Sequence, residues 1–103
     1  MALERVDTPI TIGSGNVDVG DALRTHAEES IRKVAGDYFG NLNTASVHFN
    51  TEGSNYRCSV NMRMGALPMK SAEAQAGDAY AAFNAALAKV AKQLRRKKRE
   101  LRE

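Results

Sequence analysis

The sequence predicts an α+β fold of order β-α-β-β-β-α: a mostly antiparallel four-stranded sheet with two helices packed on one face. Three observations predict it. Apolar residues recur with a helical period twice, from Asp21 to Phe39 and again from Asp78 onward. Two runs between them alternate apolar and polar residues, the period of a half-buried strand. Clusters of Gly, Ser, Asn and Pro separate these segments and mark turns. Strands run together between two helices argue for segregated layers, with the helices covering one side of the sheet. A chain of 103 residues with 43% hydrophobic content supports one domain with a single modest core.

Residues 1–8 show no periodicity and predict a flexible lead-in to a single domain over 9–103. Ile10-Thr11-Ile12 alternates and is predicted to run into a turn at Gly13-Ser14-Gly15-Asn16. Leu23, Ala27, Ile31, Val34 and Tyr38 then form one stripe of an amphipathic helix. Gly20 is a permissible N-cap and Gly40-Asn41 a stop signal, while Gly36 costs roughly 1 kcal/mol against Ala. In the first alternating run, Ala45, Val47, Phe49 and Thr51 share a face, opposite Ser46, His48 and Asn50. After a turn at Glu52-Gly53-Ser54-Asn55, the residues Tyr56, Cys58, Val60, Met62 and Met64 face inward. Arg57, Ser59, Asn61 and Arg63 face outward. A second turn, Gly65-Ala66-Leu67-Pro68, leads to a third meander strand over about 69–74. From Asp78, a good cap, Phe83, Leu87, Val90, Leu94 and Leu101 make a second helical stripe diluted by alanines.

The net charge of +3 is unevenly distributed. Met1 to Ala88 hold seven Lys or Arg against ten Asp or Glu, whereas Lys89 to Glu103 hold eight against two. An acidic body with a basic tail predicts a polyanionic partner. Lys89, Lys92, Arg96 and Arg99 step by three, four and three along one side of the second helix, and Arg95, Lys97, Lys98 and Arg102 broaden the charged surface. Like charges at i,i+4 repel by a few tenths of a kcal/mol a pair. Phosphates relieve that repulsion, and counterion release drives their binding. Arg24, Arg32 and Lys33 extend the patch if the two helices lie side by side, and Lys70 is placed to contribute from the third meander strand.

Other chemistry finds little support. His26 and His48 have no Cys or carboxylate cluster at metal-ligand spacing, so no metal or other cofactor is expected. Cys58, the sole cysteine, lies in an inward strand register that predicts an inert buried thiol. It also excludes an intramolecular disulfide. Gly13-Ser14-Gly15 lacks the spacing of a phosphate loop. No apolar run approaches bilayer length and the N-terminus lacks a secretory pattern, which together predict a cytoplasmic protein without membrane contact. The expectation is a binding protein with no catalytic residues, not an enzyme.

Two segments resemble a known family. Gly15-Asn16-Val17-Asp18-Val19-Gly20-Asp21-Ala22-Leu23-Arg24 is similar to the opening motif of the bacterial ribosome hibernation-promoting factors, a family that includes the ribosome-associated inhibitors and the sigma-54 modulation proteins. Asp78-Ala79-Tyr80-Ala81-Ala82-Phe83, followed by Lys89, Lys92, Gln93, Leu94 and Arg96, is similar to the family's second helix. The element order agrees, and the resemblance covers nearly the whole chain from Ile10. It departs at Asn84, where the family usually has Asp, and at Gly20, where it usually has a Thr or Ser cap.

The resemblance implies a stress- or stationary-phase factor that binds 16S rRNA of the small ribosomal subunit, in the channel between head and body. There it would occupy the A and P sites and inhibit translation. Carried over by position, the RNA-facing residues are Arg24 on the first helix and Lys89, Lys92 and Arg96 on the second, with Arg32, Lys33, Arg95 and Arg99 as further members of the surface. Short family members end about where this chain does, while long ones add a linker and a C-terminal dimerisation domain; the resemblance fits either form. Ribosome dimerisation would then involve such a domain or a separate dimerising factor. Support thins past Leu94, leaving 95–103 to order only on RNA. A competing reading is a basic module that contacts an acidic protein, such as a transcription factor.

Overall fold

The structure, a computed structural model, describes residues 10–15, 19–38, 42–65 and 67–102, without the side chains of 38 and 99–102. The expected lead-in over 1–8, the stop at Gly40-Asn41 and the side chains of Tyr38, Arg99, Leu101 and Arg102 lie outside it. Six elements follow one another: β1 (Ile10–Ser14), α1 (Asp21–Tyr38), β2 (Leu42–Glu52), β3 (Asn55–Met64), β4 (Lys70–Ala76) and α2 (Ala79–Arg102). The sheet order is β1-β2-β3-β4. β1 runs parallel to β2, joined through α1, and the other two pairings are antiparallel. The expected α+β architecture is therefore present, with one parallel pair in a mostly antiparallel sheet.

Alternation places the core. In β2, Ala45, Val47 and Phe49 are buried. In β3, Cys58, Val60, Met62 and Met64 are buried, and these strand residues join Leu23, Ala27 and Ile31 of α1 and Phe83, Leu87, Val90 and Leu94 of α2 in one cluster. The register pairs Val47 with Val60 and Phe49 with Cys58, so these side chains share the helix-covered face. Phe49 and Phe83 meet with ring centroids 6.5 Å apart, tilted by 41°, tying α2 to the sheet centre. Burying a Phe, Leu or Ile side chain stabilises by about 1.5–3 kcal/mol, so this stripe-on-sheet contact holds the helices down.

Local chemistry sets the boundaries. Asp78 Oδ1 accepts from the Ala81 amide at 2.8 Å, and its carbonyl accepts from Ala82, the geometry of an N-cap. Gly20 has no side chain to offer α1, but its carbonyl accepts the first helical bond, from Arg24 N at 3.1 Å. Gly53 turns the β2–β3 hairpin with φ of 64°, a left-handed conformation that favours glycine at the first central position. A register shift between Leu42 and Thr44 leaves Asn43 as a bulge, and its side chain donates to Gly65 O at 2.6 Å.

Two expectations are corrected. Gly13 and Ser14 continue β1 instead of turning, because parallel pairing to His48 and Phe49 gives their backbone ladder partners. Ala35, and not Val34, completes the buried stripe of α1; Val34 is partly buried at its margin. The third meander strand spans Lys70–Ala76, shifted slightly from its expected position.

Candidate nucleic-acid interface

α2 carries two surfaces. Ala82, Phe83, Ala86, Leu87, Val90 and Leu94 are buried against the sheet, while Lys89, Lys92, Arg95 and Arg96 are exposed and Lys97 and Lys98 partly buried. The helix continues to Arg102, beyond Leu94, the last described residue of its apolar stripe. This corrects the expectation that the stretch past Leu94 orders only on RNA: 95–102 are helical without it.

Side-chain contacts show how this surface is held. Lys89 Nζ donates to Glu73 O at 2.9 Å, and Gln93, one turn on, donates to Ser71 O at 3.1 Å. Both acceptors are backbone carbonyls of β4, an edge strand. An ammonium has three donors, so Lys89 keeps capacity for a second partner. On the other flank, Lys98 Nζ donates to Asp37 O in the last turn of α1 at 3.1 Å. α1 has no basic residue in its own last turn, and Lys98 supplies the cation that its negative dipole end favours.

His26 fixes the helix seam. Its Nε2 lies 2.8 Å from Asn84 Oδ1, and its ring sits 5.4 Å from Tyr80 and 5.5 Å from Phe83. Asn84 is the residue at which the chain departs from the resembled pattern, and here it bridges the helices. Tyr80, expected to pack, is 41% exposed and closes this seam from outside.

The α1 cations are placed less uniformly. Arg24 donates to Ile12 O at 3.2 Å, turning toward β1. Two residues apart on a helix is about 200° of rotation, so Arg24 and the seam-facing His26 lie on opposite sides of α1. Lys33 pairs with Asp37 at 3.6 Å, on the solvent, and Arg32 is exposed. The structure thus gathers Lys89, Lys92, Arg95 and Arg96 on one helix surface and sets Arg24 apart from them; the side chain of Arg99 lies outside the described residues.

Sequence reasoning missed a cleft at the β4 edge. Lys70, Gln93, Arg96 and Lys97 line an open hollow of about 380 Å³. Lys70 opens β4, and α2 carries the other three, so only their packing brings them together.

The uncovered sheet face is polar and internally paired. Asn61 donates to Ser46 Oγ at 3.2 Å, and Gln75 donates to Glu52 Oε1 at 2.9 Å. Arg57, expected to be solvated, bridges Glu52 at 3.1 Å and Glu73 at 3.7 Å. Cys58 is fully buried, and burial pushes its thiol up to about 12. His48 points to the opposite sheet face and His26 sits at the helix seam, so neither forms a nucleophile–base pair with it. Among the described residues no group of three His, Cys, Asp or Glu is placed to hold a metal. No described helix is long and apolar enough to cross a membrane.

Comparison with known proteins adds three findings. The family model described as "Sigma 54 modulation protein / S30EA ribosomal protein" matches residues 10–102. A curated "Ribosome hibernation promotion factor" of Rhizobium meliloti (strain 1021) is 26% identical over 94 residues, which cover 91% of this chain. The chain spans about half the length of that relative, 50%. Among solved structures, the Thermus thermophilus Protein Y N-terminal domain superposes with a TM-score of 0.74 at 22% identity, covering 84% of this chain and 93% of that one. A ribosomal subunit interface protein from Coxiella burnetii gives 0.72 at 20% identity, covering 86% and 96%. At these identities the two structures share the fold.

Proposed function

The chain belongs to the sigma 54 modulation protein / S30EA ribosomal protein family, and from that premise we propose that it is a ribosome hibernation factor that grips ribosomal RNA through α2. The observation that carries this reading is the exposed row Lys89, Lys92, Arg95 and Arg96 on a helix whose opposite side is anchored in the core. Anchoring matters because a pre-positioned cationic surface avoids the ordering cost of a loose tail. Neutralising several phosphates then releases counterions, and affinity falls steeply with salt.

In this reading the partner is 16S rRNA of the small subunit, in the mRNA and tRNA channel. Occupancy of the A and P sites inhibits translation with no bond made or broken. The setting is the cytoplasm under stress or in stationary phase, and dimerisation of bound ribosomes belongs to a further domain or a separate factor. Arg24, Arg32, Lys33 and Arg99 complete the proposed contact set. Arg24 reaches RNA only by giving up or sharing its bond to Ile12 O.

The test is co-sedimentation with purified 30S subunits across a salt series. Binding should fall steeply with salt, and Lys89→Glu, Lys92→Glu and Arg96→Glu together should abolish it; binding retained by that variant sinks the reading. RNase treatment before pull-down from lysate separates the competing class. Capture that survives it points to an acidic protein partner.

A further inference from the structure

We propose that the hollow between β4 and α2 is a phosphate-binding subsite, taking a phosphodiester of the bound RNA at Lys70, Gln93, Arg96 and Lys97; it rests on the RNA-binding reading above and extends it from Arg96 of the exposed row to Lys70, Gln93 and Lys97 beside it. Among the described residues, three cations and an amide line about 380 Å³ and no carboxylate does; Lys97 also has a partner of its own, so Lys70 and Arg96 are the principal cations. A solvated helix side offers its cations outward and singly. Here two elements aim theirs into one concavity, the arrangement that suits a compact, multiply accepting anion.

The state of the lining residues supports this. Neither Lys70 nor Arg96 has a hydrogen-bond or ion-pair partner among the described residues. Gln93 is held in place by its bond to Ser71 O, which uses one of its two amide protons and leaves the other for a ligand. The guanidinium of Arg96 is a planar fork suited to two phosphate oxygens, while Lys70 supplies a mobile point charge from the facing strand. By contrast Arg57, on the open sheet face, is already bridged to two carboxylates and offers no comparable vacancy of charge.

The experiment measures 30S affinity of the full chain from low to moderate salt for the wild type and five variants. Lys70→Gln should lower affinity about tenfold near 0.1 M salt and reduce the slope of log K against log salt by roughly one, the signature of one lost phosphate contact. Arg96→Gln should do the same, and the double variant should lose less than the product of the two, since both act on one phosphate. Arg63→Gln, on the exposed opposite sheet face, should change nothing. The combination Lys92→Gln with Arg95→Gln reports on the reading itself. If it weakens binding while Lys70→Gln leaves affinity and slope unchanged, the subsite is refuted and the RNA-binding reading stands. If neither weakens binding, that reading falls too.

A second arm titrates the free protein with inorganic pyrophosphate and follows the Gln93 side-chain amide by NMR. A weak, millimolar shift that Lys70→Gln removes supports a phosphodiester site. Micromolar saturation with an unaltered 30S slope would overturn it in favour of a small soluble polyphosphate.

Discussion

α1 and α2 lie on the same sheet face and bury similar residues, yet their solvent sides have opposite character. α1 carries four acidic and three basic residues; α2 carries eight basic and one acidic. The placement of the cations differs as much as their number. On α1, Arg24 is bonded to a strand carbonyl and Lys33 to Asp37. On α2, Lys92, Arg95 and Arg96 have no such partner among the described residues. The difference teaches that α2 keeps its anchoring and its exposed cations on separate sides, whereas the α1 cations Arg24 and Lys33 already have partners within the protein. The buried stripe of α2 holds it to the sheet, and the proposed binding depends on its exposed cations.

The largest way to break this comparison is charge reversal. Lys92→Glu, Arg95→Glu and Arg96→Glu together should lower 30S affinity by at least a hundredfold at about 0.1 M salt, since each lost phosphate contact is worth close to a factor of ten there. Arg32→Glu with Lys33→Glu should cost much less. Equal losses in a filter-binding or sedimentation series would show that both helices face RNA alike.

Next come the anchors, where the helices should behave similarly. Phe83→Ala should destabilise by about 3–5 kcal/mol and Ile31→Ala by about 2–5 kcal/mol, read from urea unfolding. A loss under about 1 kcal/mol for Ile31→Ala would mean that α1 is not held by its buried stripe.

The caps should separate the helices again. Asp78→Ala removes a side-chain acceptor from the Ala81 amide and should cost about 1 kcal/mol. Gly20→Ser gives α1 the cap it lacks and should add a few tenths of a kcal/mol. Opposite signs in the thermal midpoint are the expected pattern, and a neutral Asp78→Ala would contradict the capping geometry.

The smallest effect belongs to Lys33 and Asp37, whose side chains are 76% and 53% exposed. A double-mutant cycle should find a coupling of roughly 0.3–0.5 kcal/mol that fades with salt. A coupling that persists at high salt would indicate a less solvated pair.

Much of this was legible in the sequence because period reports burial. Alternation in Ala45–Thr51 and Tyr56–Met64 revealed both strands and their inner faces, and the stripes of Leu23–Ile31 and Phe83–Leu94 revealed the helices. What escaped depends on partners that sequence spacing does not contain. Gly13 and Ser14 look like a turn until β2 supplies parallel ladder partners. Arg57 looks solvated until the register brings Glu52 and Glu73 beside it. The exposed row on α2 was visible from its three- and four-residue steps, because it belongs to one helix. The hollow was not, since Lys70 and Arg96 line one concavity only through the packing of α2 beside β4.

Lys89 and Gln93 reach the backbone of β4 for a reason that concerns the protein away from any partner. An edge strand presents unpaired carbonyls that another chain could match, and these two side chains occupy those of Glu73 and Ser71. They act as a guard against edge-to-edge aggregation. If RNA draws Lys89 away, the guard relaxes only while the partner itself shields the neighbourhood. A neutral, shortened residue at 89 should therefore reveal itself first in storage, as slow self-association of the concentrated free protein.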